Sequence, residues 1–122
     1  MIEISGAVII KDKKLLVLHK IKSNHFELPG GKIQFGETAE EAMKREVKEE
    51  IDCDVEIVEY LGYFDFVHKE KDLRSHRFLV ELKNSPRLNE PEEFDELVWM
   101  PISDYKAFVL APNVLNFCEN FI

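Results

Sequence analysis

The residues of this chain best equipped for chemistry are Glu46, Glu49 and Glu50, in the run Arg45-Glu46-Val47-Lys48-Glu49-Glu50. Spaced i, i+3 and i+4, they fall on one side of any helix that contains them, so their charges converge. At about 100° per residue, Ala39, Ala42, Met43, Val47 and Ile51 share one half of that helix, the half that turns to a core. Glu46 and Glu50 lie inside this apolar sector and Glu49 lies beside its edge. Desolvating an unpaired carboxylate is expensive, so positive charge must sit among them. Two sources are open. Lys44, Arg45 and Lys48 could make the acids part of a solvated, salt-bridged stripe, or a divalent cation could lie between them. Hard oxygen ligands of this kind suit Mg²⁺.

Such a helix needs a start, a stop and a loop that meets its face. Thr38 followed by Glu41 is a capping-box signature, and Ala39 to Ile51 lacks Gly and Pro, which predicts a helix over those residues. Ahead of it, Pro29-Gly30-Gly31 and Gly36 predict a loop from Phe26 to Glu37 with a short strand at Lys32 to Gln34. Gly30 and Gly31 allow close approach to the helix and presentation of a carbonyl, though an ordinary turn would use them equally. Ile2 to Ile10 and Leu15 to Leu18 predict an antiparallel hairpin around Lys11-Asp12-Lys13-Lys14. Val55 to Val67 and Arg74 to Leu82 predict long paired strands separated by His68 to Asp72. Asn84 to Asp95 reads as an exposed loop and Leu97 to Met100 as a strand ending at Pro101. Ser103 is placed to cap a short helix through Phe108, and Pro112 to open a final helix, Asn113 to Phe121.

Composition narrows the partners. The 122 residues, 45% hydrophobic and 33% charged, fit one folded domain over 1–122. The net charge of −8 and the absence of a Lys/Arg cluster exclude an open nucleic-acid surface. If the ligand is a polyphosphate, local bases or bound cations must cancel the repulsion. Met1 to Lys14 lacks the order of a signal peptide, and no apolar run nears the roughly 20 residues of a membrane span, which predicts a cytoplasmic protein with no membrane partner. Cys53 and Cys118 read as small core residues. His19, His25, His68 and His76 are scattered without metal spacing and read as surface or packed residues.

Gly31, then Glu37 after five intervening residues, then Arg45 to Glu50 after seven more, resembles the Nudix box, and the match runs from Gly31 to Cys53. Asp52 stands where the family has Gly, and Cys53 fills the apolar slot; Asp can also adopt a left-handed cap. The flank Phe26-Glu27-Leu28-Pro29-Gly30-Gly31-Lys32-Ile33 and the pairs Trp99-Met100 and Pro112-Asn113 resemble the MutT-like branch. The resemblance then covers nearly the whole chain.

The resemblance implies an α/β/α sandwich with a mixed β-sheet between the box helix and the C-terminal helix. It implies that Glu46, Glu49 and Glu50, with the main-chain carbonyl of Gly31, bind Mg²⁺, with Mn²⁺ as an alternative, and that Glu46 is a candidate general base. Gly30, Glu37 and Arg45 would brace the loop against the helix. A further acid from a later loop, six residues before Trp99, is Glu93, with Glu92, Asp95 and Glu96 as competitors. Lys20, Leu28 and Asn113 fall at positions that would contact substrate. Lys20 stands where the branch has Arg, keeping charge but losing the planar fork, so a preference for oxidised guanine is not implied. Asn113 is open to base recognition or to helix capping. Arg77 reads first as a surface ion pair and second as a residue pointing across the sheet to phosphates. The implied activity is cleavage of a nucleoside triphosphate to monophosphate and pyrophosphate by a monomer or homodimer. The alternatives are hydrolysis of ADP-ribose, a dinucleoside polyphosphate or another nucleoside diphosphate derivative. A noncatalytic nucleotide-sensing module is disfavoured by the intact acids.

Overall fold

The computed structural model describes residues 1–121. The apolar run at the N-terminus does not form one arm of a hairpin, as its composition suggested, but is divided between two sheets. Ile2–Val8 (β1) runs parallel to Lys71–Leu82 (β7) and antiparallel to Gly30–Lys32 (β5), while Val55–His68 (β6) pairs antiparallel with β7 on its far side. These strands make a mixed sheet in the order β5-β1-β7-β6. After Ile9 the chain enters a second, antiparallel sheet. There Ile10–Lys11 (β2) pairs with Lys14–Lys20 (β3) through a turn whose central residues, Asp12 and Lys13, have φ of 52° and 62°, as a two-residue hairpin requires. The predicted turn is correct, but only the last two residues before it belong to the hairpin. Ala7, Val8 and Ile9 are all buried, as befits a strand covered on both faces.

The second sheet also holds His25–Glu27 (β4) and Phe94–Pro101 (β8), which pair with β3. Two expectations shift here. The short strand lies at Gly30–Lys32 rather than Lys32 to Gln34, because the glycines pair directly with Ser5 and Gly6 of β1. His25–Glu27 is a strand rather than part of the loop.

The helix Ala39–Ile51 (α1) forms as predicted. Glu41 N donates to Thr38 Oγ1 at 3.1 Å and Thr38 N to Glu41 Oε1 at 2.9 Å, closing the capping box. Asp52 ends it in the left-handed conformation, φ 54° and ψ 43°, with its N–H on Lys48 O. Met43, Val47 and Ile51 pack with Ala7, Leu16, Phe78 and Val80 on one side of the sheets. On the other side Pro112–Asn120 (α2) sets Val114 and Cys118 against Val8, Leu15, Val17 and Met100. Each fully buried aliphatic side chain here contributes about 1.5–3 kcal/mol, which holds the α/β/α layers together. Cys53 and Cys118 are buried, as expected.

Near the C-terminus two capping expectations fail. Ser103 lies within a 3₁₀ helix, Ile102–Ala107, that has no side-chain cap. Helix α2 begins at Pro112 itself, with Ala111 as its uncapped N-terminal flank, so Asn113 is not a cap. Proline is tolerated there because the first-turn N–H groups have no intrahelical acceptor. No helix among the described residues is long and apolar enough to cross a membrane.

Candidate active site

The glycine loop and the acidic face of α1 are pressed together by strand pairing. Gly30 and Gly31 sit opposite Gly6 and Ser5 in β1, and Ser5 Oγ donates to Ala39 O at 2.6 Å, so one strand anchors both the loop and the start of α1. A Cβ on Gly31 would lie 2.6 Å from Glu46 Cδ, and one on Gly30 would lie 2.3 Å from Ser5 O. A side chain at position 30 would thus meet backbone, whereas one at position 31 would meet the carboxylate of Glu46.

Glu50 is only 3% exposed, and the Gly30 N–H donates to its Oε1 at 3.0 Å. Burial pushes the Glu50 carboxyl well above the usual carboxylate range; the Gly30 N–H opposes this, while the neighbouring Glu46 adds to it. Such a group is stable with a proton or with a cation beside it, not as a bare anion. Lys44 pairs with Glu40, and Lys48 with Asp52 and Asp54, so neither lysine serves it. Glu46 is half-buried and Glu49 exposed.

Arg45 is the hub of the loop brace. Its Nε and Nη2 grip Glu37 at 2.6 and 3.0 Å, Nη2 also reaches Lys32 O at 3.1 Å, and Nη1 reaches Glu46 and Glu49 at 2.9 and 3.3 Å. The predicted Glu37–Arg45 pair is thus present, and Arg45 additionally orients two of the acids. The Arg45 guanidinium, with the Gln34 N–H, holds Glu37 down to about 2. A folded-state value below the unfolded one means that the pair stabilises the fold above about pH 4.5 and is lost as pH falls towards 2. The melting temperature of wild type should therefore exceed that of Glu37→Gln by a constant margin near neutrality, and the margin should close below about pH 4. A margin independent of pH would show that Glu37 acts by shape alone.

The segment 84–93 is not the free loop its composition suggested. It satisfies carbonyls that α1 leaves open at its C-terminus. Asn89 N donates to Glu50 O, Arg87 N to Ile51 O, Asn89 Nδ2 to Glu49 O and Asn84 Nδ2 to Asp52 O. Docked in this way, the loop brings Glu93 to the same cleft as Glu46, Glu49 and Glu50. It also brings Glu90, which the sequence reading missed. Burial raises the Glu90 carboxyl, and Glu93, Glu49 and Glu46 raise it further. The missed signal is the turn Glu90-Pro91-Glu92-Glu93, in which Glu93 N donates to Glu90 O at 3.0 Å and the two outer acids come together. Of the competitors, Asp95 turns to His19, and Glu96 pairs with His19 across β3 and β8.

His19, Asp95 and Glu96 bring their ring nitrogen and carboxylate oxygens within 4.8 Å of one another, outside the cleft that holds Glu46, Glu49 and Glu50. His19 Nδ1 meets Asp95 Oδ1 at 2.6 Å and its Nε2 meets Asn24 Oδ1 at 2.9 Å. These bonds raise its pKa.

The cleft holds about 600 Å³. Lys20, 4.0 Å from Glu27, and Leu28 line it with the glycine loop, as do Phe66, Leu73, Pro112 and Asn113. Asn113 Nδ2 donates to Ser75 Oγ at 3.1 Å. His25 and His68 also reach the cleft. Arg77 corrects both of its expectations: it is neither a surface ion pair nor a phosphate contact, but is buried against α2.

The candidate donors around Glu50 are all oxygens: carboxylates from one helix face and one loop, and the carbonyl of Gly31, whose missing Cβ keeps the approach to Glu46 open. This set fits a hard divalent cation, and the buried Glu50 supplies the unneutralised group that such an ion would satisfy.

A glycine strand laid on an acidic helix face, between helices on either side of two sheets, defines a known class of hydrolase. Residues 3–121 match the NUDIX domain, and the chain belongs to the Nudix family of hydrolases, which act on phosphoric anhydride bonds. Members generally need a divalent metal and act on small nucleotides. The chain is 26% identical over 122 residues to the uncharacterized Nudix hydrolase YvcI of Bacillus subtilis, covering 93% of this chain and 77% of that protein. It is 36% identical over 101 residues to an ADP-ribose pyrophosphatase of Methanocaldococcus jannaschii, covering 72% of this chain and 58% of that one. It is 33% identical over 69 residues to an 8-oxo-dGTP diphosphatase of Buchnera aphidicola, covering 57% of this chain and 56% of that one. Over several of its curated relatives, the chain thus spans little more than half their length. The crystal structure of a MutT NUDIX hydrolase from Burkholderia pseudomallei shares the fold, with a TM-score of 0.88 at 22% identity, covering 99% of this chain and 98% of that one.

Proposed function

We propose that this protein is a Mg²⁺-dependent nucleoside triphosphate pyrophosphohydrolase that releases a nucleoside monophosphate and pyrophosphate, with Mn²⁺ able to replace Mg²⁺. The observation that carries this reading is a single cleft with two chemically distinct sets of lining residues. One set is Glu46, Glu49, Glu50, Glu90 and Glu93, and the other is Asn113 with Phe66, Leu73 and Pro112. The first suits a phosphate chain with its cation, and the second suits a flat heterocycle with polar edges. In a protein of net charge −8, Lys22, Lys32 and Lys69 also line the cleft, and none of them forms an ion pair among the described residues. Those cations supply the local attraction that an acidic protein needs for an anionic ligand.

In this reading Glu46, Glu49, Glu50, Glu93 and the Gly31 carbonyl hold the metal. A bound ion supplies charge neutralisation on the phosphates and a more acidic water. Glu46, steadied by Arg45, would serve as the general base. Lys20 and Leu28 position the substrate near the loop, and Asn113 contacts the base. The test is product analysis with Mg²⁺ on a panel of nucleoside triphosphates, ADP-ribose and a dinucleoside tetraphosphate. Monophosphate and pyrophosphate from a triphosphate are expected. Preference for ADP-ribose would reject the triphosphate assignment, and no cleavage of any compound would favour a sensing module.

A further inference from the structure

Arg77 of β7 takes no part in the chemistry proposed above, yet its surroundings are unusual. Its side chain is 9% exposed, and among the described residues it forms no ion pair and its buried Nε has no hydrogen-bond partner. An uncompensated buried charge is destabilising, and replacing it with a packed apolar side chain is often neutral or stabilising. Packing does not account for it; what it holds does. Its Nη1 donates to Asn113 O at 3.1 Å and to Asn116 Oδ1 at 3.0 Å, fastening the first turns of α2 to β7. Its guanidinium lies 5.8 Å from the centroid of Phe64, which stacks on Phe66 at 5.6 Å and 13°. Two residues earlier in β7, and so on the same face, Ser75 Oγ accepts from Asn113 Nδ2. Two neighbouring side chains of one strand thus hold Asn113 at its backbone and at its amide, in the cleft that Phe66 also lines.

We infer that Arg77 is a positioning residue for nucleobase recognition: with Ser75 it fixes Asn113 beside the Phe64–Phe66 stack, so that the identity of the base is read by a preorganised amide. The inference rests on the nucleotide reading of the cleft and narrows it to substrates chosen by their base rather than by their phosphate chain alone. Arg77 does not line the cleft and acts through Asn113. Preorganisation of this kind strengthens binding by removing the ordering that the ligand would otherwise impose.

The experiment measures kcat and KM for a purine and a pyrimidine nucleoside triphosphate, together with melting temperature, in wild type, Arg77→Met and Arg77→Lys. The Met variant should melt at or above the wild-type temperature. It should keep kcat within about threefold, raise KM for the preferred nucleotide about tenfold and lose about tenfold in the kcat/KM ratio between the bases, the pattern of lost binding rather than lost chemistry. Both bonds leave from one nitrogen, so the Lys ammonium should restore most of the ratio. A lower melting temperature with equal losses on both nucleotides would reduce Arg77 to a structural role and overturn the inference. So would an unchanged ratio, or a wild type indifferent to the base. If wild type cleaves no nucleotide, the functional reading fails and takes this inference with it; if wild type discriminates and Arg77→Met does so equally, only this inference fails.

Discussion

Replacing Glu50 with glutamine should lower turnover at saturating Mg²⁺ by about two to three orders of magnitude, the scale on which a preorganised charged group acts in catalysis, while the metal-free fold stays at least as stable. Both halves follow from one environment. Glu50 is buried beside Glu46 and receives one N–H bond, from Gly30, so without a metal its neutral form is favoured. Glutamine reproduces that neutral shape and keeps an oxygen for the Gly30 N–H. With a metal the balance reverses, because an amide oxygen carries no net charge to offer a divalent cation. The melting temperature in chelator should be unchanged or higher, and the rise on adding Mg²⁺ should shrink, since ligand stabilisation follows affinity. Undiminished turnover would remove Glu50 from the metal site.

The second large effect separates the two glycines. Alanine at Gly30 would place Cβ 2.3 Å from Ser5 O and 2.6 Å from Gly6 Cα, and these backbone atoms cannot move without breaking the β1–β5 pairing. A loss of about 3 kcal/mol is expected, at the upper end for overpacking, which lowers the melting temperature by about 10 °C in a chain of this size. Alanine at Gly31 meets only the Glu46 carboxylate, at 2.6 Å, and that side chain can swing aside. Gly31→Ala should therefore fold with near-wild-type stability but lose about 10- to 100-fold in turnover, comparable to disturbing the support of a metal ligand. Thermal melts and steady-state kinetics on the two variants decide the matter. Equal stability loss in both would mean that Gly31 serves the strand and not the site.

The sequence made the centre of this site legible because its signals are local. A capping box, a left-handed Asp52 and three acids at i, i+3 and i+4 are all decided within a few turns of one helix, and α1 formed with the predicted limits. The Glu37–Arg45 pair followed from the family spacing and is bidentate in the structure. What the sequence hid depends on distant partners. The run Ile2 to Ile10 is uniformly apolar, and only the partners of β1, parallel β7 and the glycine strand, show where it leaves one sheet for the other. Glu90 is an ordinary loop acid until Asn84, Arg87 and Asn89 tie their segment to the end of α1. Arg77 closes the polar first half of its strand, Lys71 to Arg77, and α2, which covers it, begins 35 residues later, at Pro112. Asn113 resembled a helix cap because Asn favours that position; the proline before it takes the first helical place instead.

Binding of Mn²⁺, followed by electron paramagnetic resonance in the presence of a nonhydrolysable nucleoside triphosphate analogue, tests the metal cluster most directly. Wild type should titrate to saturation, and a variant with Glu46, Glu49 and Glu50 all changed to Gln should leave the ion free in solution while its far-ultraviolet circular dichroism is retained. Equal Mn²⁺ uptake by the two proteins would contradict the assignment of these carboxylates and place the cation elsewhere.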